Sequence, residues 1–542
     1  MNCLSSKHNV KLLDLPDELI LAIVEKGKSQ ISFLCSMIDI GNRRLEQLTF
    51  NKCHSIDFVI DYLEGKNSSL FVNRFYSHII LRIYDQIQSL TIHVHHIKSL
   101  HKFLQNNYNG VLPNLTHLKV RLCAKCPKTG AQYTIGNHLM SDLEWRKRPL
   151  YTIVLQWFLF PSSLVSEQIN ELCYSTMMRS IQSFQLDDNC CLSMCFRKGE
   201  RRFREVPRLT DIRMSLLDLE QCIHLLLELG SQLRSFTVTI GSCFSYEPIL
   251  TSDLQLISCP NLKQMKVTIY KNLIGYQACF SLLRCLSNIE DLTLLLAIGD
   301  DGIKPNYFID ECVLEKDLLS YMYCLHQFKF HIRSILKNVS HEIINETHQS
   351  FLRQQPFICS YDSFKNNYGQ CQIYSLPFIG TRLDFVSNRF PLFNGSFSNV
   401  TTLLLFDDVL PFENIFFQRL AQALPRLRTL EIRNELEQEQ KAKETTLNIN
   451  LIGFHHLTTL ILYDIHMDYA EQFLCQIHLS SLVELAIDKH ILLTIVQQNH
   501  PQARDNCLRI GKLRTSEPSY EIIRTIQQSF PLADYVKHKN EY

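Results

Sequence analysis

The chain has 542 residues, of which 46% are hydrophobic and 20% are charged, so it belongs to the globular class and is long enough for several domains or a repeat array. Its formal net charge is only +1, whereas proteins that bind nucleic acid or anionic membrane usually carry a large positive charge, so we expect neither as a partner. No apolar run approaches the roughly 18 residues of a membrane span, and residues 1–8 lack the apolar stretch of a secretory signal. We therefore expect a cytoplasmic or nuclear protein whose 20 cysteines are reduced thiols.

A short helix is predicted to begin at Pro16, because the first helical position does not need the N–H that proline lacks. Asp17 and Glu18 then lie in the first turn, where carboxylates face the positive end of the helix dipole. Apolar residues follow at helical spacing, namely Leu15, Leu19, Ile20 and Ile23. One short helix cannot bury such a stripe alone, so the stripe requires neighbours or a partner.

A second helix is predicted after Ser32, which can cap its N-terminus. Its apolar face consists of Phe33, Leu34, Met37 and Ile38. A basic run, Asn42-Arg43-Arg44-Leu45, follows. The segment from Leu12 to about Phe50 resembles an F-box, the module that docks a substrate receptor onto the Skp adaptor of a cullin ubiquitin ligase. It departs from the family at Ser32, where an acidic residue is common, and at Leu45, where an aromatic residue often stands.

The resemblance implies a direct contact with the adaptor along both helices. The residues it assigns to that contact are Leu15, Pro16, Glu18, Leu19, Ile20, Ile23, Phe33, Leu34 and Ile38. The alternative is an amphipathic helix pair that belongs to some other N-terminal subdomain. Residues 51–85 are predicted to be a helical linker, since helical spacing recurs at Ile56, Val59, Ile60 and Leu63, and again at Phe75, Ile79, Ile80 and Ile83.

The rest of the chain carries a repeated pattern, apolar–x–x–apolar–x–apolar, usually introduced by Pro or Ser followed by Asn or Arg. Clear copies start at Leu115, Leu209, Leu262, Ile289, Val400 and Leu427, and weaker ones at Ile87, Ile181, Leu233, Leu325, Leu457 and Leu482. The bare pattern is expected by chance about twenty times in a chain this apolar, so the prediction depends on the shared lead-in and on a period of about 25–30 residues. Helical spacing between the copies predicts one helix and one short strand for each repeat.

This pattern resembles a degenerate leucine-rich repeat, which implies an α/β solenoid with parallel strands inside and helices outside. The expected organisation is an F-box over 1–50, the linker over 51–85, an irregular solenoid over 86–504 with insertions near 125–180 and 335–395, and a C-terminal tail over 505–542. The family's Asn or Cys three residues after the strand is nearly absent, Cys123 being the one good match, so several turns need other hydrogen-bond partners. A generic α/β array is the alternative.

Motifs of catalysis are not found: the chain has no Gly-rich phosphate loop, no nucleophile elbow and no zinc-binding His-Glu-x-x-His helix. We read His93, His95 and His96 as a polar strand face and the single Cys123-x-x-Cys126 as part of a set of buried thiols. We therefore expect no catalytic residue, no metal and no cofactor. An enzyme with an unrecognised site in the insertions is the alternative.

Side chains between the two apolar residues of each strand alternate onto the concave face of a solenoid. In the first half these are Lys119, Arg213, Thr237, Lys266 and Thr293, and in the second half Leu404, Glu431, Ile461 and Ala486. We expect a protein client to bind the second half through Leu404, Phe406, Glu431, Ile461 and Tyr463, because clustered apolar and aromatic side chains mark interfaces. The alternative, to which we give equal weight, is that an insertion or the C-terminal tail covers this patch.

The expected function is the substrate-recognition subunit of a cullin-type ubiquitin ligase. A Skp-type adaptor, and through it a cullin, would be one partner, and an unidentified protein client the other. The alternative function is a protein-binding repeat scaffold without a ligase, in which the N-terminal helices form a structural cap.

Overall fold

The protein is described by a computed structural model. The residues that it describes are 15–27, 31–37, 42–50, 54–58, 72–121, 163–186, 203, 206–216, 218–240, 254–273, 276–299, 308–337, 339, 357–365, 368–392, 396–439, 453–515, 529–532 and 534–535. They form two hydrogen-bonded β-sheets in succession, preceded by three short helices.

The three N-terminal helices are α1 (Asp17–Gly27), α2 (Ile31–Met37) and α3 (Arg43–Phe50). They share a small core in which Ile20, Met37 and Leu45 are buried. Helix α2 also faces the first sheet, since Leu34 and Cys35 belong to the large core of that sheet. The helices are therefore packed onto the start of the sheet.

The first sheet begins with nine strands that pair in parallel and in chain order. They are β1 (Ser55–Phe58), β2 (Ser89–His93), β3 (His117–Arg121), β4 (Ser183–Leu186), β5 (Asp211–Leu216), β6 (Ser235–Ile240), β7 (Gln264–Leu273), β8 (Asp291–Ile298) and β9 (Gln327–Lys337). The strand order ends with β11 (Tyr368–Ser375) and β10 (Phe357–Ser363), which pair antiparallel.

The second sheet has seven strands in chain order, and every pair of neighbours is parallel. They are β12 (Arg382–Val386), β13 (Thr402–Phe406), β14 (Thr429–Asn434), β15 (Thr459–Ile465), β16 (Glu484–Ile487), β17 (Lys512–Arg514) and β18 (Asp534–Tyr535). The segment near 335–395 thus contains the antiparallel strands that end one sheet and the strand that starts the next.

Helices lie between most of the successive strands in the described part of the chain, in keeping with the repeat. A π-helical segment (Phe75–Ile79) runs into α4 (Ile80–Ile83), and the later helices are α5 (Ile97–Tyr108), α6 (Ser163–Cys173), α7 (Leu219–Leu229), α8 (Tyr276–Arg284), α9 (Glu311–Asp317), α10 (Asn414–Ala423), α11 (Met467–Ala470), α12 (Lys489–Gln498) and α13 (Pro501–Leu508). Asp218 caps α7 and Asp310 caps α9, each accepting a 2.9 Å hydrogen bond from a backbone N–H. Among the helices of the described residues, none is long and apolar enough to cross a membrane.

The same backbone device recurs at the start of the strands: one carbonyl accepts two successive N–H groups from the next repeat. The carbonyl of Gln88 accepts from Thr116 and His117, both at 2.9 Å. In the second sheet, the carbonyl of Thr401 accepts from the next repeat in the same way. All twelve predicted copy starts stand two residues before a strand, which confirms an α/β array of parallel strands. The lead-in residues form the turn before the strand, closed for example by a 3.2 Å bond from Leu115 N–H to Leu112 O.

Two predicted boundaries differ from the structure. Ile56 lies in strand β1 and not in a helix, because pairing with β2 buries Ile56 and Phe58 on one face of the sheet. Helical structure in the predicted linker is found at Phe75–Ile79 and Ile80–Ile83. Near the C-terminus, β17 and β18 extend the parallel sheet past residue 504.

Hydrogen-bond partners for the turns are found in the second sheet, one position before the family's Asn or Cys. Asp407 Oδ1 accepts bonds from the N–H groups of Val409 and Leu410, both at 2.9 Å. Asn434 donates to Leu410 O at 2.8 Å and accepts from Leu436 N–H at 2.9 Å. Both side chains are buried, so they satisfy backbone groups inside the loops. Cys123 lies outside the described residues.

Candidate functional site

Helix α1 presents two apolar side chains to solvent. Leu19 is 52% exposed and Ile23 is 48% exposed, and residues four apart lie on the same face of a helix. Pro16 and Glu18 are also exposed. Ile20, one position along from Leu19, is fully buried against α2 and α3. Helix α1 therefore has one face in the protein and one apolar face outside it.

Helix α1 is held in place by Arg44 of α3. The guanidinium forms an ion pair with Asp17 at 2.6 Å and donates to the carbonyl of Leu15 at 3.0 Å. Leu15 itself is partly buried in the small core. These contacts, together with the burial of Ile20, attach α1 to the other two helices while Leu19 and Ile23 remain in solvent.

The residues assigned to the adaptor contact fall into three groups. Pro16, Glu18, Leu19 and Ile23 are exposed, while Leu15 and Phe33 are partly buried. Ile20 and Leu34 are fully buried, so their role in any contact is to position the helices rather than to touch a partner. Ile38 lies outside the described residues.

The expected open client patch of the second sheet is closed. Leu404 is 1% exposed and Phe406 is 8% exposed, and they form an apolar cluster with Ile335, Phe364 and Phe385. The ring of Phe406 lies 5.2 Å from that of Phe364 and 5.7 Å from that of Phe385. The prediction that these two side chains are exposed is wrong, because the antiparallel segment and β12 bring their own aromatic residues over them. At Leu404 and Phe406 the burial agrees with the alternative that an insertion covers the patch.

The other three predicted client residues lie further along the second sheet. Glu431 and Ile461 are buried, and Tyr463 is half-buried. Glu431 forms an ion pair with Arg433 at 2.7 Å, and Arg433 also lies 3.7 Å from Asp464. Burial raises the pKa of the Tyr463 phenol to about 12. These residues make a packed surface with paired charges instead of an open apolar one.

Polar side chains fill the junction between the two sheets. The buried carboxylate of Asp362 accepts hydrogen bonds from the Ser387 hydroxyl and, at 3.2 Å, from Gln370 Nε2. Burial raises the pKa of Asp362 to about 6. His331 Nε2 lies 3.0 Å from Gln372 Oε1, and burial lowers the pKa of His331 to about 4. The junction is thus a hydrogen-bonded part of the interior.

The outward face of the first sheet carries a row of side chains in strict register. It runs from Asp57 through Thr91, Lys119, Gln185, Arg213, Thr237, Lys266 and Thr293 to Lys329. We call it the basic row. The sequence pattern identified five of its members, and it missed Asp57, Thr91, Gln185 and Lys329. Three of the missed residues could have been found, because Thr91, Gln185 and Lys329 each lie four residues after the start of a weaker copy, as Lys119 lies after Leu115.

The histidines that a metal site would need are largely buried. His93 and His96 belong to the interior, and the rings of His93 and His95 lie 4.9 Å apart. Within the part of the chain that the structure describes, no three His, Cys, Asp or Glu side chains converge on a metal site. The thiols of Cys222 and Cys279 are buried, and burial raises the pKa of Cys279 to about 12. Cys123 and Cys126 lie outside the described residues.

Comparisons with known proteins add little to this geometry. No family model matches the chain, and no curated protein matches its sequence. Among solved structures, the crystal structure of a TLR13–ssRNA13 complex matches 82% of this chain at 12% sequence identity, with a TM-score of 0.20. The chain spans about half of the length of that structure, with 54% covered. The fold assignment therefore depends on strand order and register in this chain alone.

Proposed function

We propose that this chain is a protein-binding receptor in which α1 docks a Skp-type adaptor and the repeats hold a protein client. The observation that carries the proposal is the exposed pair Leu19 and Ile23 on an anchored helix. Beside them, the exposed Pro16 and Glu18 belong to the segment that resembles an F-box. Through the adaptor the chain would join a cullin-type ubiquitin ligase.

The exposed pair has enough apolar area to contribute to docking. Full burial of a Leu or Ile side chain is worth about 1.5–3 kcal/mol, and half of each side chain is still in solvent, so together they offer about 2 kcal/mol. Ordering and association reduce the affinity that this area yields, and other contacts must supply the rest. The pair is therefore expected to behave as a small hot spot.

On this proposal the chain catalyses no bond chemistry itself. It holds the client near a conjugating enzyme supplied by its partners, which raises the effective concentration of the reacting groups. The firm packing of α2 on the first sheet suits this task, because a receptor must keep its client at a fixed place relative to the docking helix.

Adaptor binding by purified full-length protein tests the proposal. Leu19→Ser with Ile23→Ser removes the exposed apolar pair, whereas Leu81→Ser removes a side chain of similar exposure, 45%, on α4. We expect a Skp-type adaptor to co-elute in size-exclusion chromatography with the wild type and with Leu81→Ser, but not with the double variant. All three proteins should share one unfolding midpoint. Co-elution of the adaptor with the double variant would refute the docking role.

A second candidate function is a repeat scaffold in which the N-terminal helices only cap the sheet. The observation in its favour is that Leu34 and Cys35 of α2 join the core of the first sheet beside Ile56 and Phe58 of its edge strand. A cap explains these buried residues, but it leaves the exposed Leu19 and Ile23 without a role. If the wild type fails to bind the adaptor, this candidate replaces the first.

A further inference from the structure

We propose that the basic row on the first sheet binds an extended, acidic segment of a protein client, with carboxylates at every third residue. This inference deepens the proposed function, because it names the chemistry of the client and the face that holds it. It also moves the client site from the second sheet to the first.

The register of the strands places the cations at regular intervals. Lys119, Arg213, Lys266 and Lys329 stand on β3, β5, β7 and β9, and so on every second strand. Neutral residues occupy the strands between them, namely Gln185, Thr237 and Thr293. Arg213 is exposed, and the three lysines are half-buried, as are the neutral residues between them. The row is thus a line of positive charge that is accessible from solvent.

Carboxylates stand at the N-terminal end of the row and in the row beside it. From Thr91 to Lys329 the row contains no Asp or Glu, and Asp57 stands at its N-terminal end, 4.0 Å from Arg121. Two residues earlier on their strands, Asp211 accepts a 2.6 Å hydrogen bond from the Thr210 hydroxyl, and Asp291 accepts one from the side chain of Gln264.

The second sheet arranges its charges differently. There Arg514 lies 2.8 Å from Glu484 and Lys512 lies 3.3 Å from the same carboxylate, while Arg433 lies between Glu431 and Asp464. Acids and bases alternate on that face, so it offers no line of one sign. We therefore place the anionic partner on the first sheet.

The spacing of the cations selects an extended polypeptide. Neighbouring strands lie about 4.8 Å apart, so cations on every second strand are separated by about 9.6 Å. In the extended polyproline II conformation one turn has three residues and spans about 9.3 Å, so acidic residues at positions 1, 4, 7 and 10 lie on one side of the segment and can face the four cations in turn. The hydroxyls and amide on the intervening strands can bond the backbone or small polar side chains of the segment.

A labelled peptide tests the match of spacing. The probe is a ten-residue peptide with Glu at positions 1, 4, 7 and 10 and Ser or Thr elsewhere, and its isomer carries the four Glu residues together at one end. Fluorescence anisotropy is followed as full-length protein is added at low ionic strength, where exposed charges are least screened. We expect the spaced peptide to bind about threefold more tightly than its isomer, and binding to weaken as salt is raised.

Variants of the protein locate the binding face. Lys266→Gln with Lys329→Gln removes two cations of the row, and Lys98→Gln with Lys102→Gln removes two exposed cations of α5 with the same change in net charge. Since each exposed ion pair contributes modestly, we expect the first pair of exchanges to weaken the spaced peptide about fivefold and the control pair to leave it unchanged.

Several outcomes would overturn the inference: no binding of the spaced peptide, equal binding of the two isomers, or equal effects of the two double variants. Tighter binding of a single-stranded oligonucleotide than of the peptide would also overturn it and assign the row to nucleic acid. The adaptor experiment does not involve this face. A failure here with adaptor binding intact therefore rejects the acidic client alone, whereas loss of adaptor binding with peptide binding intact rejects only the docking role.

Discussion

Asp362 is a buried carboxyl group whose titration affects the stability of the junction between the sheets. Burial raises its pKa in the folded protein to about 6, above its ordinary value of about 3.9 when unfolded. Its contribution to stability is therefore complete below about pH 4 and is lost as the pH rises through about 6. His331, also in the junction, acts in the opposite direction: with its pKa lowered to about 4, stability is lost as the pH falls from about 6.5 toward 4.

The variant Asp362→Asn separates these two effects. It removes the cost of the buried charge, so we expect it to be more stable than the wild type by about 3 kcal/mol at pH 7 and equal to it near pH 4. Urea denaturation of both proteins at intervals between pH 4 and pH 7 measures this difference. A difference that stays constant across the range would contradict the assigned pKa of Asp362.

Phe406 is a second residue whose role is decided by burial. It closes the apolar cluster between the sheets, so Phe406→Ala leaves a cavity and should lower the free energy of unfolding by about 3 kcal/mol. Ile415→Ala removes an exposed apolar side chain from α10 and should cost less than about 0.5 kcal/mol. Equal urea midpoints for the two variants would show that Phe406 is not a core residue.

At the scale of elements, the turn that leads into each strand was predictable and the loop that leaves it was not. Leu115 and Leu262 were recognised because Pro and Asn before them favour a turn and because their burial recurs with the repeat. Asn434 was missed because it stands one position before the family's Asn or Cys, as Asp407 does in the preceding repeat. The antiparallel strands β10 and β11 were also missed, since they pair with each other and join the sheet only where β11 pairs with β9, which is distant in the sequence.

Asn434 should be essential to the loop that it serves. Asn434→Ala leaves the buried carbonyl of Leu410 and the N–H of Leu436 without their side-chain partner, so we expect a loss of about 2 kcal/mol. Asn399→Ala changes an exposed asparagine in the turn before β13 and serves as the control. Thermal and urea unfolding followed by circular dichroism measure both variants, and a loss no greater than that of the control would contradict this role.

Helix α1 illustrates the same division between local and distant information. The spacing of Leu19 and Ile23 predicted an apolar stripe, and the structure leaves both side chains in solvent. The sequence could not tell which members of the stripe would be buried, because Ile20 is covered by Met37 of α2 and Leu45 of α3, whose placement depends on tertiary packing. The exposed pair is thus a property of three helices together.

At the scale of the whole molecule, two successive parallel sheets meet at an antiparallel interruption. Each sheet has its own large apolar core, and a small cluster around Phe385 and Leu404 connects them. The N-terminal helices are attached to the first sheet, whose outward face carries the basic row. On our proposals, adaptor docking and client binding are therefore both functions of the first sheet and its helices. The second sheet continues the repeat, and its charged side chains form ion pairs with one another.

Affinity purification of the full-length protein from cells, with the recovered partners quantified by mass spectrometry, tests the central claim that α1 docks an adaptor. Wild type, Leu19→Ser with Ile23→Ser, and Leu81→Ser are compared at equal expression. The account predicts that a Skp-type adaptor and a cullin accompany the wild type and Leu81→Ser and are depleted together from the double variant. Equal recovery of adaptor and cullin from all three proteins, or recovery of neither from the wild type, would contradict it.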